Sequence, residues 1–220
     1  MKTVASVVEK YLKTKPFLLS SLSEGIINLT SLARIIMPEI ELYLGKDIKQ
    51  GAVVMALKRI SEELDFKINY KVTRVLQNIG EITVRSSLTD YTYEISDTLL
   101  ENQTKLMFEI KTNKNLFYTS SRGVNETNIV VSSEINAMVE SCLKSEKLIS
   151  KNENLSSITV KLPHENVSVP GVYYYIFQSL AWEGIVIDEV ISTSNEFTIV
   201  VNENQIDLAF SVIKDLKKIG

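Results

Sequence analysis

The feature that most constrains this chain is the order of periodicities in its last sixty-five residues. Ser157-Ile158-Thr159-Val160-Lys161-Leu162 alternates as a strand. Pro170 then stands where the first turn of a helix tolerates it, and Tyr173, Ile176, Phe177, Leu180 and Ala181 form an apolar helical face ending at Gly184. Two β-branched runs, Ile185 to Ser192 and Phe197 to Val201, flank the polar turn Thr193-Ser194-Asn195-Glu196. Ile206, Ala209, Phe210, Ile213 and Leu216 make a closing helix. Strand, helix, strand, strand, helix is most of a ferredoxin-like βαββαβ unit, so an α+β fold is expected.

The segments SITVKLP, VPGVYYYIFQSLAWEGIVIDEVIST, NEFTIVV and DLAFSVIKDL, covering almost all of residues 153 to 216, resemble an ACT domain of the type found in the regulatory regions of aspartate kinases. The resemblance implies a small amino-acid effector, held by the loop between the first strand and first helix and by strands at the interface of paired ACT units. A helix beginning at Pro170 offers the unpaired amides of Gly171, Val172 and Tyr173 to a carboxylate, and Gly171 admits close approach to the backbone. Val169 belongs to the same loop, and Asn166, Ser168 and Asn195 can add side-chain hydrogen bonds. The plainer alternative is a strand-to-helix turn that binds nothing. No fourth strand follows in the sequence, so the open sheet edge requires cover from the middle of the chain or from a second subunit. A homodimer through the ACT units is the corresponding expectation.

Residues 81 to 150 read as a degenerate copy of the same unit. EITVRSSL suggests a strand, Ser96 to Met107 a helix, Met107–Lys111 and Leu116–Ser120 two short strands, Asn128 to Ser132 a strand and Glu134 to Leu143 a helix. ITVRSS echoes SITVKL, and TNIVVSSEINAMVESCL echoes EFTIVVNENQIDLAFSVI, which suggests a duplication of roughly seventy to eighty residues. VPGV has no counterpart, so the intact ligand loop is expected at residues 166 to 173.

The first 78 residues differ in composition and in charge. They carry 12 Lys and Arg against 8 Asp and Glu, whereas residues 79 to 220 carry 12 against 19. A basic head on an acidic body points to a head that meets a polyanion. Residues 3 to 13 form an amphipathic helix, Phe17 to Leu22 a second, and a third places Leu32, Ala33, Ile35 and Ile36 on one face until Pro38. Asp47 and Gln50 have capping-box spacing ahead of a helix with Ile48, Ala52, Val53, Ala56, Leu57 and Ile60 inside. Phe66 to Val75 alternates as a basic strand. The segment GIINLTSLARIIMPEIELYLGKDIKQGAVVMALKRI resembles a winged helix-turn-helix domain. The resemblance implies double-stranded DNA as partner, with Lys49, Gln50, Lys58 and Arg59 facing the groove and Lys67, Lys71 and Arg74 on the wing. Solubility alone would also place cations on the wet face of a helix, and such domains also dock on proteins, so the alternative reading is a stand-alone ACT regulatory subunit that docks on a metabolic enzyme such as an aspartate kinase.

Three domains are therefore expected, at 1–78, 79–152 and 153–220. Catalysis is not. The eight glycines are too scattered for a phosphate-binding loop or a dinucleotide fingerprint, which argues against a kinase. The single His164 and single Cys142 leave little for a nucleophilic triad and too few ligands for a Cys/His zinc site, so no metal or cofactor is expected. Charges at positions 2, 9, 10 and 13 break any signal-peptide core, and no apolar run can span a bilayer, so no membrane association and a cytoplasmic location are expected.

Overall fold

A computed structural model describes residues 3–23, 25–67 and 69–219, with side chains described for all of these except 16, 17, 20, 23, 63–67, 69 and 70. The chain divides into two compact units after Arg74.

The first unit is helical: α1 (Val4–Lys13), α2 (Pro16–Ser23), α3 (Leu29–Leu44), α4 (Gln50–Lys67) and the start of α5 (Asn69–Gln77). Thr3 and Ser6 close a capping box on α1, and Asn28 caps α3 by accepting from the Ser31 amide. Val7, Val8, Leu12, Leu32, Ala33, Ile36, Ile40, Val53, Leu57 and Ile60 form its core. Three sequence expectations change here. Pro38 does not end α3, which runs on to Leu44, because Ile36 and Ile40 are buried on either side of it and packing outweighs the lost main-chain bond. Ile35 faces outward, 73% exposed. α4 starts at Gln50, whose side chain donates to the Thr30 carbonyl, so Asp47 stands three residues ahead of the helix rather than next to its first residue as the spacing suggested.

The largest correction concerns the wing. Residues 66–67 end α4 and 69–75 belong to α5, so no basic strand forms there. The alternation from Phe66 to Val75 fits both periods over so short a run. Burial of Val72, Val75, Leu76 and Ile79 follows the helical one, and the last two lie beyond the window read as strand.

The second unit is one six-stranded antiparallel sheet with helices on one face. Its elements are β1 (Ile82–Glu94), α6 (Leu99–Ile110), β2 (Tyr118–Arg122), β3 (Glu126–Ser132), α7 (Asn136–Cys142), β4 (Leu148–Lys161), α8 (Val172–Trp182), β5 (Ile187–Ser192), β6 (Glu196–Asn202) and α9 (Ile206–Asp215). Strand order is β2-β3-β1-β4-β6-β5, with β1 and β4 pairing antiparallel at the centre. β1 therefore covers the edge of β4 that a fourth strand would otherwise take. Residues 107–110 continue α6 and Lys111 is its C-cap, so no strand forms there, because Leu106 and Ile110 extend the buried row that includes Asn102.

The two strand–helix–strand–strand–helix runs share local features. Ser133–Ile135 and Glu203–Gln205 are both 3-10 turns, each entered through an extended residue, Ser132 and Asn202. Ser87 and Asn154, 67 positions apart, are both left-handed, at φ 57° and 59°. The second sequence echo falls on elements of the same kind in the two runs, and the first does not. ITV at 82–84 is the antiparallel partner of ITV at 158–160, with Ile82 opposite Val160 and Val84 opposite Ile158.

The left-handed residues mark bulges that break the β1–β4 register around Leu88 and Leu155. Bulges bend and twist the strands that carry them. On the helix side, Tyr91, Tyr93, Ile129 and Val131 pack with Leu99, Leu106 and Val139. On the other side Leu88, Val130, Leu155 and Val200 make a separate buried cluster, closed by Phe117 and Ile191. These last two come from opposite ends of the strand order, so the sheet curls enough to bring its flanks onto one apolar nucleus.

Candidate functional site

The expected ligand loop lies between β4 and α8. Leu162 donates to the Asn195 carbonyl at 2.7 Å as β4 ends, Pro163 follows, and His164–Ser168 make a 3-10 turn. Asn166 is buried, and its amide nitrogen donates to Pro163 O (3.0 Å) and Ser194 O (2.8 Å), fastening the loop to the β5–β6 turn. Those bonds use both donors of the Asn166 amide. It is a framework residue, and the Ser168 hydroxyl is likewise turned back onto Glu165 O at 2.9 Å. Val169 donates to Asn166 O at 3.3 Å.

Pro170 lies in a turn two residues ahead of α8, and Gly171 is the N-cap at φ 97°, a conformation that side chains resist. Among the described residues no side chain caps α8. The helix begins at Val172, which is buried, so its contribution is main-chain only. Tyr173 stacks on Phe197 with centroids 5.0 Å apart and shares a hydrogen bond of 2.8 Å with Ser192. Asn195 Oδ1 is buried and has no hydrogen-bond partner among the described residues. The loop thus brings together a left-handed glycine, a helix start without a side-chain cap, an aromatic wall and the turn carrying a solitary buried acceptor.

The corresponding helix start in the first run is closed by the protein itself. Glu146, between α7 and β4, extends its carboxylate to the entrance of α6 and accepts from Ser96 Oγ (2.5 Å), Thr98 Oγ1 (2.8 Å) and Asn102 Nδ2 (2.5 Å), while Ser96 Oγ accepts from the Leu99 amide (3.0 Å). Burial pushes this carboxyl upward, but the bonds from Ser96, Thr98, Asn102 and Ser145 outweigh it and hold the group below its ordinary value. Sequence reasoning missed the arrangement. Ser96-x-Thr98 ahead of an apolar run signals a helix start, but nothing local marks Glu146 as its partner fifty residues on.

A third polar group sits on the curled face. Asp90 is 4% exposed and accepts from Asn128 Nδ2 at 2.6 Å. Burial raises its carboxyl above the ordinary value, and Asp188 adds to the shift; Glu189 is raised by burial and by Asp90. A raised folded value means destabilisation that is complete above that value and absent below the unfolded one. Asp90→Asn, which keeps an acceptor for Asn128, is expected to raise the urea midpoint at pH 7. The gain should vanish as pH falls toward 3.8. Among the described residues no group of acids, His and Cys is arranged to hold a metal ion. His164 is exposed, and Cys142 is a partly buried free thiol.

In the helical unit, Lys49, Lys58, Arg59, Lys71 and Arg74 are exposed on α4 and α5 or just before α4. Gln50 is engaged with Thr30, Lys58 lies 3.8 Å from Glu62, and Glu9 is held below its ordinary value by Lys13 and, more weakly, by Arg59. The Lys67 side chain lies outside the described residues. Lys71 and Arg74 stand on a helix, not on a wing. No described helix is long and apolar enough to cross a membrane.

No protein family model matches the chain, and no curated protein matches it. Solved structures do. The regulatory subunit of aspartate kinase from Thermus thermophilus, in its ligand-free form, matches with a TM-score of 0.52 at 10% identity, over 63% of this chain and 97% of that one. The aspartokinase alpha and beta subunits give 0.51 at 15% identity, over 64% and 99%. Clostridium acetobutylicum aspartate kinase gives 0.52 at 15% identity, over 63% of this chain but 34% of the enzyme. At such identities the likeness is one of fold, shared with a regulatory subunit of aspartate kinase, with aspartokinase subunits and with about a third of an aspartate kinase.

Proposed function

We propose that the chain is a non-catalytic regulatory protein whose sheet unit binds a free amino acid at the entrance of α8 and whose helical unit carries the response to a partner. The observation that carries the reading is the contrast between the two helix starts. A helix N-terminus attracts carboxylates through its unpaired amides and its dipole. At α6 the Leu99 amide donates to Ser96 Oγ, and the Glu146 carboxylate accepts from the Ser96, Thr98 and Asn102 side chains around that entrance, whereas α8 has no described side-chain cap and begins at a left-handed glycine. An α-carboxylate would accept from the main-chain amides at the α8 entrance. The unpartnered Asn195 Oδ1 is an acceptor suited to the α-ammonium of the same ligand.

The predicted experiment is a thermal-shift panel of the proteinogenic amino acids. At about 100 times Kd, one ligand stabilises the folded state by about 2.7 kcal/mol and raises its Tm by several degrees. Gly171→Val should abolish the response, because a β-branched residue at φ 97° reshapes the loop. A panel without any response sinks the reading.

Of the two outputs open from the sequence, DNA and a protein partner, the helical unit favours the protein. The wing residues are helical, and Ile35, Leu42 and Met55 stand exposed on α3 and α4, at 73%, 85% and 67%. Large apolar side chains facing water suit a protein surface better than a phosphate backbone. Duplex binding that weakens steeply with salt and is abolished by charge reversal at Lys58 and Arg59 would reverse this choice.

A further inference from the structure

The end of α8 farthest from the candidate ligand loop carries the single tryptophan of the chain, Trp182, which is 72% exposed. Val186 follows it at 68%, and Leu208, in the first turn of α9, is 44% exposed. Gln205 ties the two segments together: its side-chain nitrogen donates to Gly184 O and its side-chain oxygen accepts from the Val186 amide, both at 3.2 Å. Residues 182–186 and 203–208 are therefore neighbours on one surface. An aromatic and two aliphatic side chains turned to water on one surface mark a place of interaction, and tryptophan is among the residues that most often anchor one.

The charge on this surface has one sign. Glu183 is the C-cap of α8, Glu203 opens the 3-10 turn ahead of α9, and Asp207 stands in the first turn of α9; all three are exposed. None of them belongs to an ion pair among the described residues. No Lys or Arg occurs between Lys161 and Lys214. A helix C-terminus is itself negative and favours a cation, so Glu183 works against α8 where it stands. At the corresponding place in the first run, after α6, the chain has Lys111 and Lys114. Helix stability therefore does not account for the acid at the end of α8.

We propose that this surface docks a basic amphipathic segment of a partner protein, with apolar side chains of the segment seated on Trp182, Val186 and Leu208 and its Lys or Arg side chains set against Glu183, Glu203 and Asp207. An apolar centre supplies contact, while a rim of opposite charge steers the encounter and fixes its orientation. A cation over the indole face adds to the attraction. Nucleic acid and anionic lipid headgroups carry the charge that this rim repels. Three apolar side chains make a patch smaller than a stable interface requires, so the complex is transient and sensitive to salt.

Trp182 itself provides the readout, since no other tryptophan contributes to the emission. The probe is an amphipathic peptide of about 14 residues built from Leu and Lys at helical spacing, with a Leu and Glu peptide of the same pattern as control. Added to the full chain, the basic peptide should move the emission to shorter wavelength with a Kd on the order of 10 μM, and the acidic one should leave it unchanged. Raising the salt from about 50 to about 500 mM should weaken binding about tenfold, as exposed charges are screened. Glu183→Lys combined with Asp207→Lys should weaken it by about tenfold or more, and so should Leu208→Asp. These side chains are exposed, and unchanged circular dichroism confirms the fold. A basic peptide that leaves the emission unmoved at about 1 mM overturns the proposal. So does a response that the acidic peptide shares, or one indifferent to the charge reversals. Emission that is already at short wavelength in the free chain, or that moves with protein concentration alone, shows that the chain itself or a second copy covers Trp182, and overturns it too. No amino acid takes part in these measurements, so the docking surface and the ligand reading fail separately.

Discussion

Glu146→Ala is expected to destabilise the sheet unit by about 3 kcal/mol, since hydrogen bonds to a charged group each contribute about 1.5–3 kcal/mol and buried donors left unpaired add a penalty. Three side chains lose their acceptor at once: Ser96, Thr98 and Asn102, the last of these 8% exposed. Small relaxations and entering water limit the loss, which keeps it below the sum of the three bonds. Amide exchange across Leu99–Ile110 should accelerate on the order of a hundredfold, the equivalent of that free energy. Glu146→Gln should fall between, because one amide oxygen can still accept while its nitrogen faces donors. The pH dependence follows from the lowered carboxyl. Its contribution is present above the unfolded value, near 4.5, and is lost as pH falls through the folded one. Wild type and variant should converge in stability at the acid end and diverge above it. Equal stability at pH 7 would show that Glu146 is not what closes the entrance of α6.

That contrast between helix entrances was half legible in the sequence. The Pro170-Gly171 turn announced a strand-to-helix junction, and Gly171 does take the left-handed geometry that only glycine enters readily. The roles of Asn166 and Ser168 could not be read, since a buried amide that fastens a loop and one that binds a ligand have the same letter. The fold was legible where periodicity was long. The apolar rows of α8 and α9 and the β5–β6 hairpin signal came through at nearly their observed limits. It failed where two periods fit a short run, as at Phe66 to Val75, and where a resemblance between two strands meant pairing rather than duplication, as at 82–84 and 158–160. Antiparallel neighbours share composition because they share a core. The bulges were not read, because Ser87 carries no signal for the left-handed conformation and Asn154, which tolerates it, is as common in ordinary turns and caps.

The curl that these bulges produce leads to the other large expected effect: Leu155→Ala should cost about 3–4 kcal/mol, in the upper part of the range for a buried leucine. Leu155 is 1% exposed in a cluster with Leu88, Val130 and Val200, and it lies directly opposite Leu88 in the β1–β4 ladder. The other members of the cluster come from neighbouring strands and from Phe117 and Ile191 at the flanks, so the hole can collapse only by changing the curl of the whole sheet. A site that relaxes poorly keeps its cavity, and the cost rises with the volume retained. The double variant Leu88→Ala, Leu155→Ala distinguishes this account from independent packing. If the two side chains support one curl, losing either already loosens the contacts of the other. The pair should then cost less than the two singles together by about 1 kcal/mol, a coupling expected of touching residues. Denaturant unfolding of the four proteins, followed by circular dichroism, measures the coupling. Strict additivity would mean that the face opposite the helices is held by something other than the sheet's own curvature.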